Sequence, residues 1–108
     1  MAATIALTDT GVFGDLQYRI VTVTGDSAGY TNGTGYALTP ATMDLGTVLY
    51  VSPTVSNGGY VGRYNGTTKV VLYYGDNNNA SDGPIIEIAT TGSSLAAESW
   101  VFLVLGKR

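Results

Sequence analysis

The chain contains no cysteine and no histidine among its 108 residues. Without cysteine there is no disulfide, no thiolate zinc site and no thiol nucleophile. Without histidine the usual general base and the commonest metal ligand are missing. Charge is scarce as well: Asp, Glu, Lys and Arg make up 12 % of the residues, against about 25 % in typical soluble domains. The five bases, Arg19, Arg63, Lys69, Lys107 and Arg108, are scattered apart from the last two. Polyphosphates need clustered Lys and Arg, so no nucleic-acid partner is expected. No apolar stretch approaches the roughly 18 residues of a membrane span. No basic segment followed by an apolar run opens the chain. Neither membrane association nor a signal peptide is expected.

Helix signals are nearly absent, and what is present is β-like. Apolar and polar residues alternate with period two, with turn clusters every 8–12 residues. Strands are expected at Ala3–Thr8, Leu16–Thr24, Thr47–Val55, Tyr60–Tyr64, Lys69–Tyr74, Ile85–Ala89 and Ser99–Leu105. The fold class is therefore all-β: a single-domain antiparallel β-sandwich or barrel-like (jelly-roll-like) fold of about seven strands. Residues 1–10 form an N-terminal arm or an edge strand in this reading. Asn57-Gly58 and Asn65-Gly66 suit the two positive-φ positions of type I′ hairpin turns. They link Thr47–Val55, Tyr60–Tyr64 and Lys69–Tyr74 into a meander. Pro53 cannot donate to a ladder and belongs at an edge or bulge. Leu38–Met43 has the pattern of one helical turn, with Thr39 as N-cap and Pro40 at the first position.

The expected core is Ile20, Val21, Leu49, Val71, Ile86, Trp100, Phe102 and Val104. Ser99–Leu105 is apolar on both faces: Trp100, Phe102 and Val104 on one, Val101, Leu103 and Leu105 on the other. Such a strand is covered on two sides, either inside the domain or with one face against another subunit.

Catalysis lacks its apparatus. Ser and Thr have no histidine to activate them, no Ser–Lys motif is recognisable, and the eight acids are dispersed along the chain. No catalytic residue is assigned and an enzyme is not expected. In the loop Asp76-Asn77-Asn78-Asn79-Ala80-Ser81-Asp82-Gly83, Asp76, Asn78 and Asp82 have the oxygen donors a hard cation needs. Ala80 and Ser81 break the EF-hand pattern, and an Asx-turn loop tip is the favoured reading. No metal and no cofactor are expected. Three sequons, at Asn32, Asn65 and Asn79, read as chance matches in Asn- and Gly-rich turns.

Eight tyrosines on a weakly charged chain suit a surface that neighbours cover, where charge is depleted and Tyr enriched; strand propensity alone accounts for them equally well. Tyr30, Tyr36, Tyr60 and Tyr64 lie beside glycines in or near loops. They fit a protein-binding surface, a carbohydrate platform, or half-buried strand tyrosines with wet hydroxyls. Ala3–Leu7 alternates little and suits addition to a neighbour's sheet edge. The candidate subunit interface is Ala3, Thr4, Ile5, Leu7, Tyr30 and Tyr36, within Ala3–Leu7 and Gly29–Tyr36.

Several segments together resemble a known group. They are Gly11-Val12-Phe13-Gly14, Tyr18–Val23, Tyr30 through Leu38-Thr39-Pro40, and Gly58-Gly59-Tyr60-Val61 with Tyr64-Asn65. The Lys69–Tyr74 strand and the hydrophobic terminal strand stopping at Gly106-Lys107-Arg108 belong to the same pattern. The chain resembles small tailed-bacteriophage capsid decoration (cement) proteins over most of its length. The resemblance implies a virion structural protein, made in the bacterial host's cytoplasm and placed on the capsid surface. Its partner is then the major capsid protein, bound by a homo-oligomer, with a trimer favoured, seated over junctions between capsid subunits. A tail or head-completion component shares this composition, and a glycan- or receptor-binding module is a further alternative.

Overall fold

The computed structural model describes residues 3–65, 68–75 and 84–108. The protein is an all-β sandwich of two four-stranded antiparallel sheets. In chain order the strands are β1 (Thr4–Phe13), β2 (Leu16–Thr24), β3 (Tyr36–Ala37), β4 (Thr47–Val51), β5 (Thr54–Val55), β6 (Val61–Asn65), β7 (Lys69–Tyr73) and β8 (Ser99–Lys107). The first sheet runs β1-β2-β8-β4 and the second β3-β7-β6-β5.

The first sheet is built on a long hairpin. β1 continues past the expected Thr8 to Phe13, pairing Thr4 with Thr24 at one end and Phe13 with Leu16 at the other, with a bulge between Leu7 and Asp9. Gly14, at φ 57°, opens the two-residue turn. β1 is therefore an edge strand rather than a loose arm.

The expected Thr47–Val55 strand divides at Ser52-Pro53. β4 pairs with β8 in the first sheet and β5 with β6 in the second. Pro53, which has no N–H to give a ladder, stands where the chain changes sheets. Of the expected meander, Thr54–Val55, β6 and β7 pair in order. The turn at Ser56–Gly59 is not type I′: the positive φ falls at Gly59 (93°) and not at Asn57 or Gly58. The Gly59 amide donates to the Ser56 carbonyl and the Ser56 amide to the Tyr60 carbonyl, the pattern of a three-residue hairpin loop with a left-handed residue last. Asn65 is in the ladder opposite Lys69; Gly66 and Thr67 lie outside the described residues, as does the 76–83 loop. Leu38–Met43 holds one 3-10 turn, Ala41–Met43, with Pro40 in the cap position.

Ile85–Ala89 is not a strand. It makes a single bridge, Glu87 to Tyr73, flanked by hydrogen bonds from Tyr74 N to Ile86 O and from Ile88 N to Leu72 O.

The core lies between the sheets. Val21 and Val23 of β2, with Trp100, Phe102 and Val104 of β8, face Tyr36, Val70 and Leu72 of the second sheet; Leu38, Met43, Leu45, Ile88 and Leu95 close the ends. Gly62 of β6 makes room for the largest of these side chains. A Cβ there would stand 2.8 Å from Trp100 Cδ1 and 3.1 Å from Phe102 Cζ. Trp100 Nε1 donates to the Tyr60 carbonyl at 2.9 Å, so the indole is buried with its polar atom satisfied.

Three expected core residues lie elsewhere. Ile20 is half-buried on the outer face of the first sheet, opposite Leu103. Leu49 is exposed because it is the unpaired residue of a bulge between Val48 and Tyr50. Ile86 is exposed because it precedes the bridge at Glu87, and Ile88 enters the core in its place. Val71 is buried but stands outside the main cluster.

Arg19 is a buried cation on the inner face of β2. Its guanidinium donates to the carbonyls of Met43 (3.0 Å), Tyr18 (2.9 Å) and Asp44 (3.0 Å) and to Gln17 Oε1 (2.8 Å). These bonds occupy the rigid donor fork of arginine and tie the 3-10 turn to the first sheet. The Asp44 carboxylate stands 3.7 Å from Arg19 and 3.2 Å from Arg108.

Candidate functional site

Antiparallel pairing of β2 with β8 puts Thr22 opposite Val101, Ile20 opposite Leu103 and Tyr18 opposite Leu105. These residues alternate with the core positions, so they form the outward face of the first sheet. β4 extends it, with Tyr50 opposite Leu105. The face is apolar and open. Leu49 is 53 % exposed, Tyr50 52 %, Val101 53 % and Leu103 37 %, with Ile20 and Leu105 half-buried among them. Ionisable groups stand at its margins, Asp9 on β1 opposite Ile20 and Lys107 on β8 opposite Thr47. Scattered surface leucines need no explanation, but a contiguous apolar patch on a sheet marks an interaction surface. Nine residues of β8 at about 3.3 Å each, across four strands about 4.8 Å apart, give a face of roughly 30 by 19 Å. That is about 570 Å², some two-thirds of one partner's share of a standard protein interface, about 800 Å².

The outer edge of β1 adjoins this face. Its inner edge pairs with β2 throughout, and Asp9 is the single ionisable residue in its ten. Long edges with few charges are open to strand addition. Of the proposed interface residues here, Thr4 and Leu7 are exposed, while Ala3 and Ile5 are half-buried against the core.

Tyr30 and Tyr36 are not surface residues; they are 3 % and 5 % exposed. The loop that carries them folds back between the sheets. Tyr36 Oη accepts from the Asp26 amide (3.1 Å) and donates to the Gly29 carbonyl (3.0 Å). Tyr30 Oη donates to Glu87 Oε2 (2.6 Å) and accepts from the Leu72 amide (3.2 Å). The two rings meet edge to face at 5.5 Å, and Tyr36 meets Trp100 at 6.5 Å. Burial, reinforced by the Glu87 carboxylate, holds the Tyr30 hydroxyl far above the ordinary tyrosine pKa. Burial raises Tyr36 and Tyr64 as well. Tyr30 and Tyr36 therefore leave the proposed interface, and with them goes half of the aromatic platform a glycan would stack on. Tyr60 and Tyr64 are half-buried.

Among the described residues no group of three or more Asp or Glu side chains is placed to hold a metal ion, and no helix is long and apolar enough to cross a membrane. The outward apolar face of the first sheet is the feature that strand-by-strand alternation signalled without deciding its neighbour. No protein-family model, no curated protein and no solved structure matches this chain.

Proposed function

We propose that the chain is a non-enzymatic virion structural protein that binds the outside of a phage capsid and stabilises the lattice of the major capsid protein, as a homo-oligomer with a trimer favoured. The observation that carries this reading is the open face of Tyr50, Val101 and Leu103, bounded by the weakly charged edge of β1. A surface of this size and polarity suits a subunit that other subunits cover. An oligomer touching several capsid subunits gains avidity, since later contacts form at high effective concentration. Binding to the mature lattice alone stabilises that state by mass action. The capsid as partner rests on the resemblance in sequence.

The test is the mass of the purified protein in solution, followed by co-sedimentation with expanded capsids that lack it. A defined oligomer that pellets stoichiometrically supports the proposal, and the double variant Val101→Lys/Leu103→Lys should then stay folded and remain in the supernatant. A monomer that ignores capsids of its own phage defeats it. A ring of another symmetry that binds tails or portals would instead make the chain a tail or head-completion component.

A further inference from the structure

Beside β3, the 26–39 and 90–92 segments, with Thr68 and Lys69, line an open cavity of about 730 Å³. This is within the size range of small-molecule sites, roughly 300–1,000 Å³. We infer that the cavity takes a neutral polyhydroxyl ligand, one pyranose unit of a saccharide.

The chemistry of its wall selects that class. Six threonines line it: Thr31, Thr34, Thr39, Thr68, Thr90 and Thr91. Among the described residues the hydroxyls of Thr31, Thr34 and Thr68 make no hydrogen bond. A threonine hydroxyl both donates and accepts, as each hydroxyl of a sugar does. The charges balance. Lys69 brings one cation, its Nζ donating to the Gly33 carbonyl at 2.7 Å. Asp26 brings one carboxylate, its Oδ1 accepting from the Ala28 amide at 2.8 Å. A phosphate therefore meets no surplus of positive charge, and an ammonium no surplus of negative. Tyr30 and Tyr36 also line it, but at 3 % and 5 % exposure their rings offer no stacking surface, so recognition rests on the threonine hydroxyls.

The wall is also preformed. Tyr30 and Thr91 exchange both backbone hydrogen bonds, at 3.0 and 2.9 Å, and the Gly35 amide donates to the Thr31 carbonyl at 3.2 Å. The Leu38 amide donates to the Thr68 carbonyl at 2.7 Å and the Asn32 amide to Thr90 Oγ1 at 3.0 Å. Gly29, at φ 101°, lets this happen, because a Cβ there would collide with the Thr91 carbonyl oxygen. Backbone groups so paired offer no open ladder for a peptide strand, whereas fixed walls lower the ordering cost of a small ligand.

The experiment is an amide chemical-shift titration of the intact chain with the methyl glycosides of glucose, galactose, mannose and N-acetylglucosamine, and with inorganic phosphate. At least one glycoside should shift the amides of Gly29–Gly35 and Thr90–Gly92, with a Kd in the millimolar range. Gly92 lines the cavity and a Cβ there meets nothing within 4 Å. Gly92→Trp should therefore keep the fold and weaken binding at least about tenfold. Thr31→Val with Thr34→Val, which removes hydroxyls without filling space, should weaken it in the same direction. The inference is overturned if no glycoside shifts these amides, if both variants bind as the parent does, or if phosphate alone produces the shifts.

Discussion

The two faces of β8 carry almost the same chemistry and have opposite fates. Trp100, Phe102 and Val104 are fully buried, while Val101 and Leu103, the residues between them, are exposed. One face meets the second sheet through the gap that Gly62 leaves; the other meets no other sheet among the described residues. Hydrophobic residues on the first face hold the domain together. On the second they are only partly covered, by cross-strand neighbours such as Ile20 and Thr22.

The comparison is most directly broken by truncating both faces and reading urea denaturation midpoints. Trp100→Ala and Phe102→Ala should each lose about 3–5 kcal/mol of stability. Val101→Ser and Leu103→Ser should each stay within about 0.5 kcal/mol of the parent. Comparable losses on both faces would mean that the outward face is covered within the isolated protein. Next in size is Gly62→Ala, where the added methyl meets the indole and the Phe102 ring and should cost about 1–3 kcal/mol; a neutral result would show a loosely packed gap.

A pH series sharpens the same contrast from the side of the buried tyrosines. Tyr30, Tyr36 and Tyr64 have hydroxyls raised above the usual range by burial, with Glu87 adding to the effect at Tyr30. Their folded pKa exceeds the unfolded value of about 10. Their contribution is therefore fully present below that pH and is lost as pH rises through the folded values. The denaturation midpoint should fall above about pH 10, and Tyr36→Phe should flatten that fall. An unchanged slope in this variant would place Tyr36 in water. The smallest effect belongs to Tyr64, whose buried hydroxyl has no hydrogen-bond partner among the described residues. Tyr64→Phe removes an unsatisfied group and should be neutral or slightly stabilising by the same denaturation assay.

Much of the fold was legible because its strands obey period two and its turns carry Gly, Asn and Pro. β2, β6, β7 and β8 stand within two residues of their expected bounds. The errors share one cause, pairing between residues distant in sequence. Thr47–Val55 reads as one strand, yet β8 captures its first half and β6 its second. Leu49 has the right alternation for the core, and a bulge with no sequence signal puts it outside. Tyr30 and Tyr36 look like loop-surface residues beside glycines, but Glu87, Leu72, Asp26 and Gly29 supply partners that hold them inside. The open face of β8 was half legible: its apolar character is in the residues, its exposure is not.

The sequence by itself determined the absence of thiol and imidazole chemistry, the low charge, the β class, and a last strand apolar on both sides. These depend on which residues are present and on a spacing of two, both of which are local. The tertiary structure decided which face of β8 is covered, where the chain crosses between sheets at Ser52-Pro53, and that segments 26–39 and 90–92 line an open cavity. Those outcomes depend on which strands meet across the sandwich. Alternation gives every strand two faces, and only the packing of one sheet on the other selects between them.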